Sequence, residues 1–225
     1  ASANLTVNAV SNGTGLCGLQ LAQWTFTGYT TGIPAVNTKA GNVSVAQISL
    51  GGVGNPGVLG AAPDNTLGSP LAPSMALYGW AKNGPVTLTT SPYIQFEIDT
   101  RNYNTIQMSF NGTRKSNGPT SSELWYSTDL VTWNNPANFS LTTGWLSYGP
   151  YNFPLASTTG STYFRIYGYG ANATTSGADM NMDQVTFTGC GTAEKPTIRK
   201  QFGAPTVKVG DVTTLQFTLE NPNAV

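Results

Sequence analysis

Residues 93 to 99 read Tyr-Ile-Gln-Phe-Glu-Ile-Asp, which sets Tyr93, Gln95, Glu97 and Asp99 against Ile94, Phe96 and Ile98 in strict alternation. A period of two sends successive side chains to opposite sides of an extended chain, so the run fits a strand with one wet face and one buried face. The same spacing returns at 106–110, 123–127, 163–167 and 182–187, each time bounded by Gly, Pro, Asn or Ser. Those bounding residues are turn formers, and strands recurring between them predict an all-β sandwich of short connections. Composition agrees: charged residues are only 9% of the chain, against about 25% in ordinary globular domains.

The same thin charge limits partners. Ten basic and ten acidic side chains cancel and form no run of either sign, which leaves no footprint for nucleic acid or an anionic membrane. No segment approaches the roughly 18 uninterrupted apolar residues of a membrane-inserted helix. Histidine is absent, so Ser-His-Asp and Cys-His catalysis cannot be assembled, and two cysteines alone do not make a standard zinc site. Glu97, Asp99, Glu123, Asp129, Asp179 and Asp183 are the carboxylates from which a glycosidase pair would have to come. Glu97 and Asp99 share a strand face about 7 Å apart, the ordinary look of a solvated face. The chain is expected not to be an enzyme.

Texture divides the chain further. Residues 51–85 are rich in Gly, Pro and Ala without a clear period, and end near Tyr78 and Trp80. They read as a long excursion, either a bland loop or a place for a binding surface. After Cys190 a polar connector, 191–196, ends in Pro196, and two further strand-like runs follow at 197–202 and 213–219. The expected organisation is therefore a sandwich domain over 1–190, a linker over 191–196 and a partial domain over 197–225. Cys17 and Cys190 lie near the ends of the first domain, and a disulfide between them is the simplest account, with two buried thiols as the alternative. Such a long loop removes denatured-state entropy worth about 4–5 kcal/mol. Ala1-Ser2-Ala3 reads as the stub of signal-peptide cleavage, and six Asn-x-Ser/Thr sequons, at Asn4, Asn12, Asn42, Asn111, Asn138 and Asn172, fit a secreted or cell-surface chain.

The run Arg114-Lys115-Ser116-Asn117-Gly118-Pro119, then Glu123-Leu124-Trp125-Tyr126-Ser127-Thr128-Asp129 and Trp133, resembles segments of a jelly-roll domain common in bacterial extracellular proteins. The residues at 163–169 and 181–189 look like that domain's penultimate and final strands. Two positions depart from its pattern: Leu130 stands where a turn glycine is usual, and Gln184 where the ending is usually Asp-Asn-Val. The likeness is good over 90–190 and loose over 16–89. It implies a galactose-binding-like jelly-roll β-sandwich without catalytic residues. The tail from Pro196 to Ala224 resembles the opening of a conserved Ig-like repeat of large microbial surface proteins, of which only about two of seven strands are present.

The jelly-roll resemblance implies one cofactor at most, a structural calcium, for which Asp179, Asn181 and Asp183 are candidate ligands; turn capping by these acids is the plainer alternative. Arg114 and Arg165 stand among apolar or small residues and are expected to form structural ion pairs with Asp129 or Asp183. Tyr78, Trp80, Trp145, Tyr148, Tyr151 and Tyr169 fall in or beside loops, where rings can stack on sugar faces or simply fill the core. Two functions follow. Ile198, Phe202, Leu215, Phe217 and Leu219 are too many apolar residues for a two-strand fragment to bury, so they are expected to pack on the first domain or on a neighbour that the tail completes by strand addition, which favours a structural or adhesive subunit. The alternative is a carbohydrate-binding module that anchors a larger secreted protein to polysaccharide. Expected partners are copies of itself, other surface proteins or a glycan.

Overall fold

The alternation of residues 93–99 is met by burial. In the computed structural model, which describes residues 17–26, 32–52, 57–62, 74–155, 160–172, 178–191, 197–202 and 215–220, β6 (Tyr93–Asp99) fully buries Ile94, Phe96 and Ile98 and leaves Tyr93, Gln95 and Glu97 half-buried. β6 lies in a five-stranded sheet ordered β3 (Ala46–Gly51), β6, β11 (Ser161–Tyr169), β8 (Ser121–Ser127) and β9 (Asn134–Ser140). A seven-stranded sheet has the order β10 (Leu146–Pro154), β7 (Tyr103–Arg114), β12 (Met180–Gly191), β1 (Leu19–Trp24) and β2 (Thr38–Lys39). In the same sheet β5 (Ser74–Tyr78) also pairs with β12, and β4 (Gly57–Ala62) pairs with β5. Adjacent strands are antiparallel throughout. The described residues contain no helix, and the fold is an all-β jelly-roll sandwich.

The inner faces meet in a chain of aromatic contacts. Trp24 and Phe96 stand 5.4 Å apart edge to face, Phe96 and Phe187 5.5 Å, Phe187 and Phe164 4.9 Å, and Phe164 and Phe153 4.7 Å. All five rings are fully buried. Such contacts add about 0.5–1.5 kcal/mol each to the area they bury, so the sheets are joined by specific ring geometry as well as by exclusion of water. Cys17 and Cys190 are bonded, which ties the start of β1 to the end of β12. Residues 17–191 form one compact unit.

Three findings differ from the sequence expectations or add to them. Residues 51–85 are not a plain excursion, because they contain β4 and β5, and Met75, Leu77 and Trp80 are fully buried. In β4, Gly57-Val58-Leu59-Gly60-Ala61-Ala62, small residues give a weak period, whereas β5, Ser74-Met75-Ala76-Leu77-Tyr78, does alternate. Gln184 sits at φ 51° inside a ladder irregularity between Asp183 and Thr186. The extra residue resets the pleat: Met180 and Met182 face the core before it, Val185 and Phe187 after it. Leu130 also has positive φ, at 64°. Both departures from the jelly-roll pattern thus occupy left-handed backbone, where Gly or Asn is less strained.

Outside this unit, β13 (Thr197–Phe202) and β14 (Leu215–Glu220) pair antiparallel as a two-stranded sheet. Its register sets Ile198 opposite Leu219, Lys200 opposite Phe217 and Phe202 opposite Leu215. Residues 1–16, expected in the sandwich, and the linker at 192–196 lie outside the described residues, as do the sequons at Asn4 and Asn12.

Candidate functional site

Cross-strand register turns the outer face of the five-stranded sheet into a grid. Gln47, Glu97, Tyr163 and Ser127 form one row, and Ser49, Gln95, Arg165 and Trp125 the next. A third row holds Gly51, Tyr93, Tyr167, Glu123 and Asn138. Directly opposed residues share a face with Cβ atoms about 4.5–5.5 Å apart, so each row is a line of contacting side chains. Gln47 and Asn138 are exposed, Tyr93, Gln95, Glu97, Trp125 and Tyr163 half-buried, and Tyr167 and Glu123 lie beneath them.

Arg165 is the centre. Its guanidinium carbon is 4.0 Å from the Tyr93 ring centroid and 4.0 Å from that of Trp133, so the cation is held against two rings. Nε donates to Gln95 Oε1 at 2.8 Å, and Nη1 donates to the Tyr167 hydroxyl at 3.2 Å and to the Leu88 carbonyl at 3.3 Å. The Tyr167 hydroxyl donates to the same carbonyl at 2.8 Å. Burial raises the Tyr167 phenol above its usual range despite the cation beside it. Tyr93 can lie across β3 only because Gly51 is its register partner: a Cβ there would run into the phenol ring.

Trp133 is aimed by the turn before it. Asp129 Oδ1 accepts from the Val131 amide at 2.8 Å, the Thr132 amide at 2.7 Å and the Ser127 hydroxyl at 2.9 Å, and these bonds, the Thr132 amide foremost, lower its pKa to about 2. The Leu130 amide donates to Ser127 Oγ at 2.9 Å, and Trp133 Nε1 donates to the Leu130 carbonyl at 3.2 Å. The turn leaves Leu130 46% and Val131 82% exposed beside the ring. Elsewhere on the face Trp125 Nε1 donates to Glu123 Oε2 at 2.9 Å, and Gln47 Nε2 to Glu97 Oε2 at 2.6 Å. Burial raises the Tyr163 phenol, and the neighbouring Glu97 charge raises it further. Flat rings beside amide and carboxylate acceptors are the groups that engage a sugar, rings against its C–H face and acceptors toward its hydroxyls.

Two arginine expectations are corrected. Arg165 meets rings, an amide and a carbonyl rather than Asp129 or Asp183. Arg114 donates to the carbonyls of Leu141 at 3.0 Å, Lys115 at 3.2 Å and Ser116 at 3.0 Å. Asp129 is occupied with its own turn, and Asp183 is on the other sheet. Among the described residues, Arg101 forms a salt bridge with Asp99, at 2.6 Å, and Lys115 with Asp179, at 3.0 Å. The Arg101 guanidinium, with help from Ser44, holds the Asp99 carboxyl well below the usual carboxylate range. Asp99 is therefore a buried, paired group rather than part of a wet face.

The loop aromatics do not gather into a strip. Trp80 is fully buried, with Nε1 donating to the Leu77 carbonyl at 2.9 Å, and Gly168 fits against its ring. Tyr148 stacks on Phe110 at 5.2 Å with its hydroxyl donating to the Ser140 carbonyl at 3.3 Å, so it too is core. Tyr151 joins that cluster through Phe139 at 5.6 Å, and burial pushes its phenol up to about 12. Tyr78 and Trp145 are half-buried elsewhere. Tyr169 alone of the six lies on the grid, opposite Ser121. Sequence reasoning missed Tyr93, Trp125, Trp133, Tyr163 and Tyr167, although all but Trp133 fall on the wet positions of strands already read as alternating.

Asp179, Asn181 and Asp183 do not fit a calcium ion. All three are buried, on the outer side of the seven-stranded sheet. Strand rise separates the first and last by about 13 Å, beyond what two aspartates with metal–oxygen bonds of about 2.4 Å can span. Asp179 already faces the Lys115 ammonium, and no cluster of three His, Cys, Asp or Glu suited to a metal occurs among the described residues. Asp183 Oδ1 accepts from the Gln184 amide at 2.7 Å, while Oδ2 is buried without a hydrogen-bond partner among the described residues. Burial raises its pKa to about 6.

No protein-family model matches the chain, and no curated protein sequence matches it. Among solved structures, a CBM4 structure is similar over 64% of this chain and 86% of its own, at 13% identity and a TM-score of 0.44. The K3 cleaved adhesin domain of Lys-gingipain from Porphyromonas gingivalis is similar over 76% and 98%, at 13% identity and a TM-score of 0.43. TmCBM61, in complex with β-1,4-galactotriose, is similar over 64% and 88%, at 11% identity and a TM-score of 0.36.

Proposed function

We propose that this chain is a non-catalytic extracellular module that holds a carbohydrate on the outer face of its five-stranded sheet. The observation behind this reading is the Tyr93–Arg165–Trp133 cluster, in which each ring stands 4.0 Å from the guanidinium carbon, with Gln95 fixing the guanidinium in plane. Stability does not need such rings on an outer face, because the core is already closed by Phe96, Phe164 and Phe187. A disulfide between Cys17 and Cys190 suits an oxidising, extracellular setting. Electrophoresis through gels cast with soluble polysaccharides tests the reading. Retardation is expected for the intact chain and its loss for Trp125→Ala or Trp133→Ala, and unchanged mobility in every polysaccharide would end it.

A second reading, self-assembly through the tail, is favoured by β13 and β14 pairing only with each other among the described residues. A two-stranded sheet is marginal alone and offers two open edges for strand addition. Electron microscopy of native material should then show filaments or sheets that Phe217→Asp abolishes.

A further inference from the structure

We infer that the grid face selects neutral, hydroxyl-rich glycans and rejects acidic ones, and that Arg165 positions the two rings instead of receiving an anion. The inference rests on the carbohydrate reading above and names its ligand class. A guanidinium grips a carboxylate or sulfate through two parallel N–H groups, one from each of two nitrogens. In Arg165 the Nε hydrogen goes to Gln95, which removes the Nε–Nη2 pairing, and Nη1 is already turned toward the Tyr167 hydroxyl and the Leu88 carbonyl. The Tyr93 and Trp133 rings each stand 4.0 Å from the guanidinium carbon and crowd the approach to it. Around it the register places two carboxylates, Glu97 one row away on β6 and Glu123 one row away on β8, and Asp129 lies in the turn that carries Trp133. The formal charge of these four groups is −2, so a uronate or sulfate meets repulsion around a cation that is already engaged. Neutral sugars meet what the face supplies: rings for their C–H faces and the Gln47, Gln95 and Glu97 side chains for their hydroxyls.

The test uses the full chain and matched polymers, galactan against polygalacturonate and unsulfated against sulfated dextran, in affinity electrophoresis with Trp fluorescence titration. Neutral polymers should bind at least about tenfold more tightly than their acidic counterparts, and their affinity should hold from about 50 to about 500 mM NaCl. Glu97→Gln should narrow the gap by raising acidic retention. Tighter binding of the acidic member of either pair, or neutral binding that collapses with salt, overturns the selectivity while leaving a glycan face in place. Binding of neither class overturns the carbohydrate reading and this inference with it.

Discussion

On the outer face of the five-stranded sheet, Gln47, Gln95, Glu97 and Trp125 keep contact with solvent, and across strands Gln47 bonds to Glu97 and Gln95 to Arg165. On the outer face of the seven-stranded sheet, Thr113, Asn181 and Asp183 are fully buried, and Ser74 Oγ and Asp183 Oδ2 have no hydrogen-bond partner among the described residues. Both faces obey the same alternation, yet one uses its polar groups as an open surface and the other seals them in. A polar residue on a wet strand position is therefore no guide to exposure; what lies over the strand decides it. Where water is kept, charge costs little, and where it is lost an unpaired carboxylate is shifted toward its neutral form.

The largest expected effect breaks the sealed side. Asp183 has a folded pKa of about 6, above its unfolded value near 4, so the fold is free of its penalty below about pH 4 and progressively loses stability as pH rises to about 6. Asp183→Asn should raise stability at pH 8 by about 3 kcal/mol and leave it unchanged near pH 3.5. Urea melts at the two pH values check this, and an equal effect at both would show that Asp183 is not held neutral. On the open side, a double-mutant cycle of Arg165→Met with Trp133→Leu should give a coupling of about 1–2 kcal/mol. A coupling near zero would mean that Trp133 only rests beside the cation. Smaller changes concern the left-handed residues of each side. Leu130→Asn and Gln184→Asn should each stabilise by about 0.5–1 kcal/mol, read as a rise in urea midpoint with constant slope. The smallest effect is a chelator's: EDTA should leave the thermal midpoint of the intact chain unmoved, because Lys115 supplies the cation opposite Asp179. A fall in midpoint restored by calcium would place an ion on the sealed side after all.

Much of the sandwich was legible because its strands repeat at period two with Gly, Pro, Asn and Ser between them; β6 and β11 follow that pattern closely, and β12 follows it on either side of Gln184. β1 to β5, β9 and β10 were not, for different reasons. Gly57–Ala62 offers little contrast between faces, and β9 and β10 carry Pro136, Pro150 and Pro154 on sheet edges, where proline reads as a break but is tolerated. The site was half visible. Tyr93, Trp125, Tyr163 and Tyr167 stood on wet strand positions in plain sight, but rings were sought in loops, and Trp80 and Tyr148 proved to be core.

By itself the sequence determined the class of fold, the absence of histidine chemistry and the balance of charge, because these depend on local periodicity and on which residues exist. Only the tertiary structure decided that Arg165 lies against Tyr93 and Trp133, that Asp179 meets Lys115 and that Asp183 is sealed. Those facts depend on register between strands distant in the chain and on what covers a face, and a period of two says which side a residue takes but not who stands opposite.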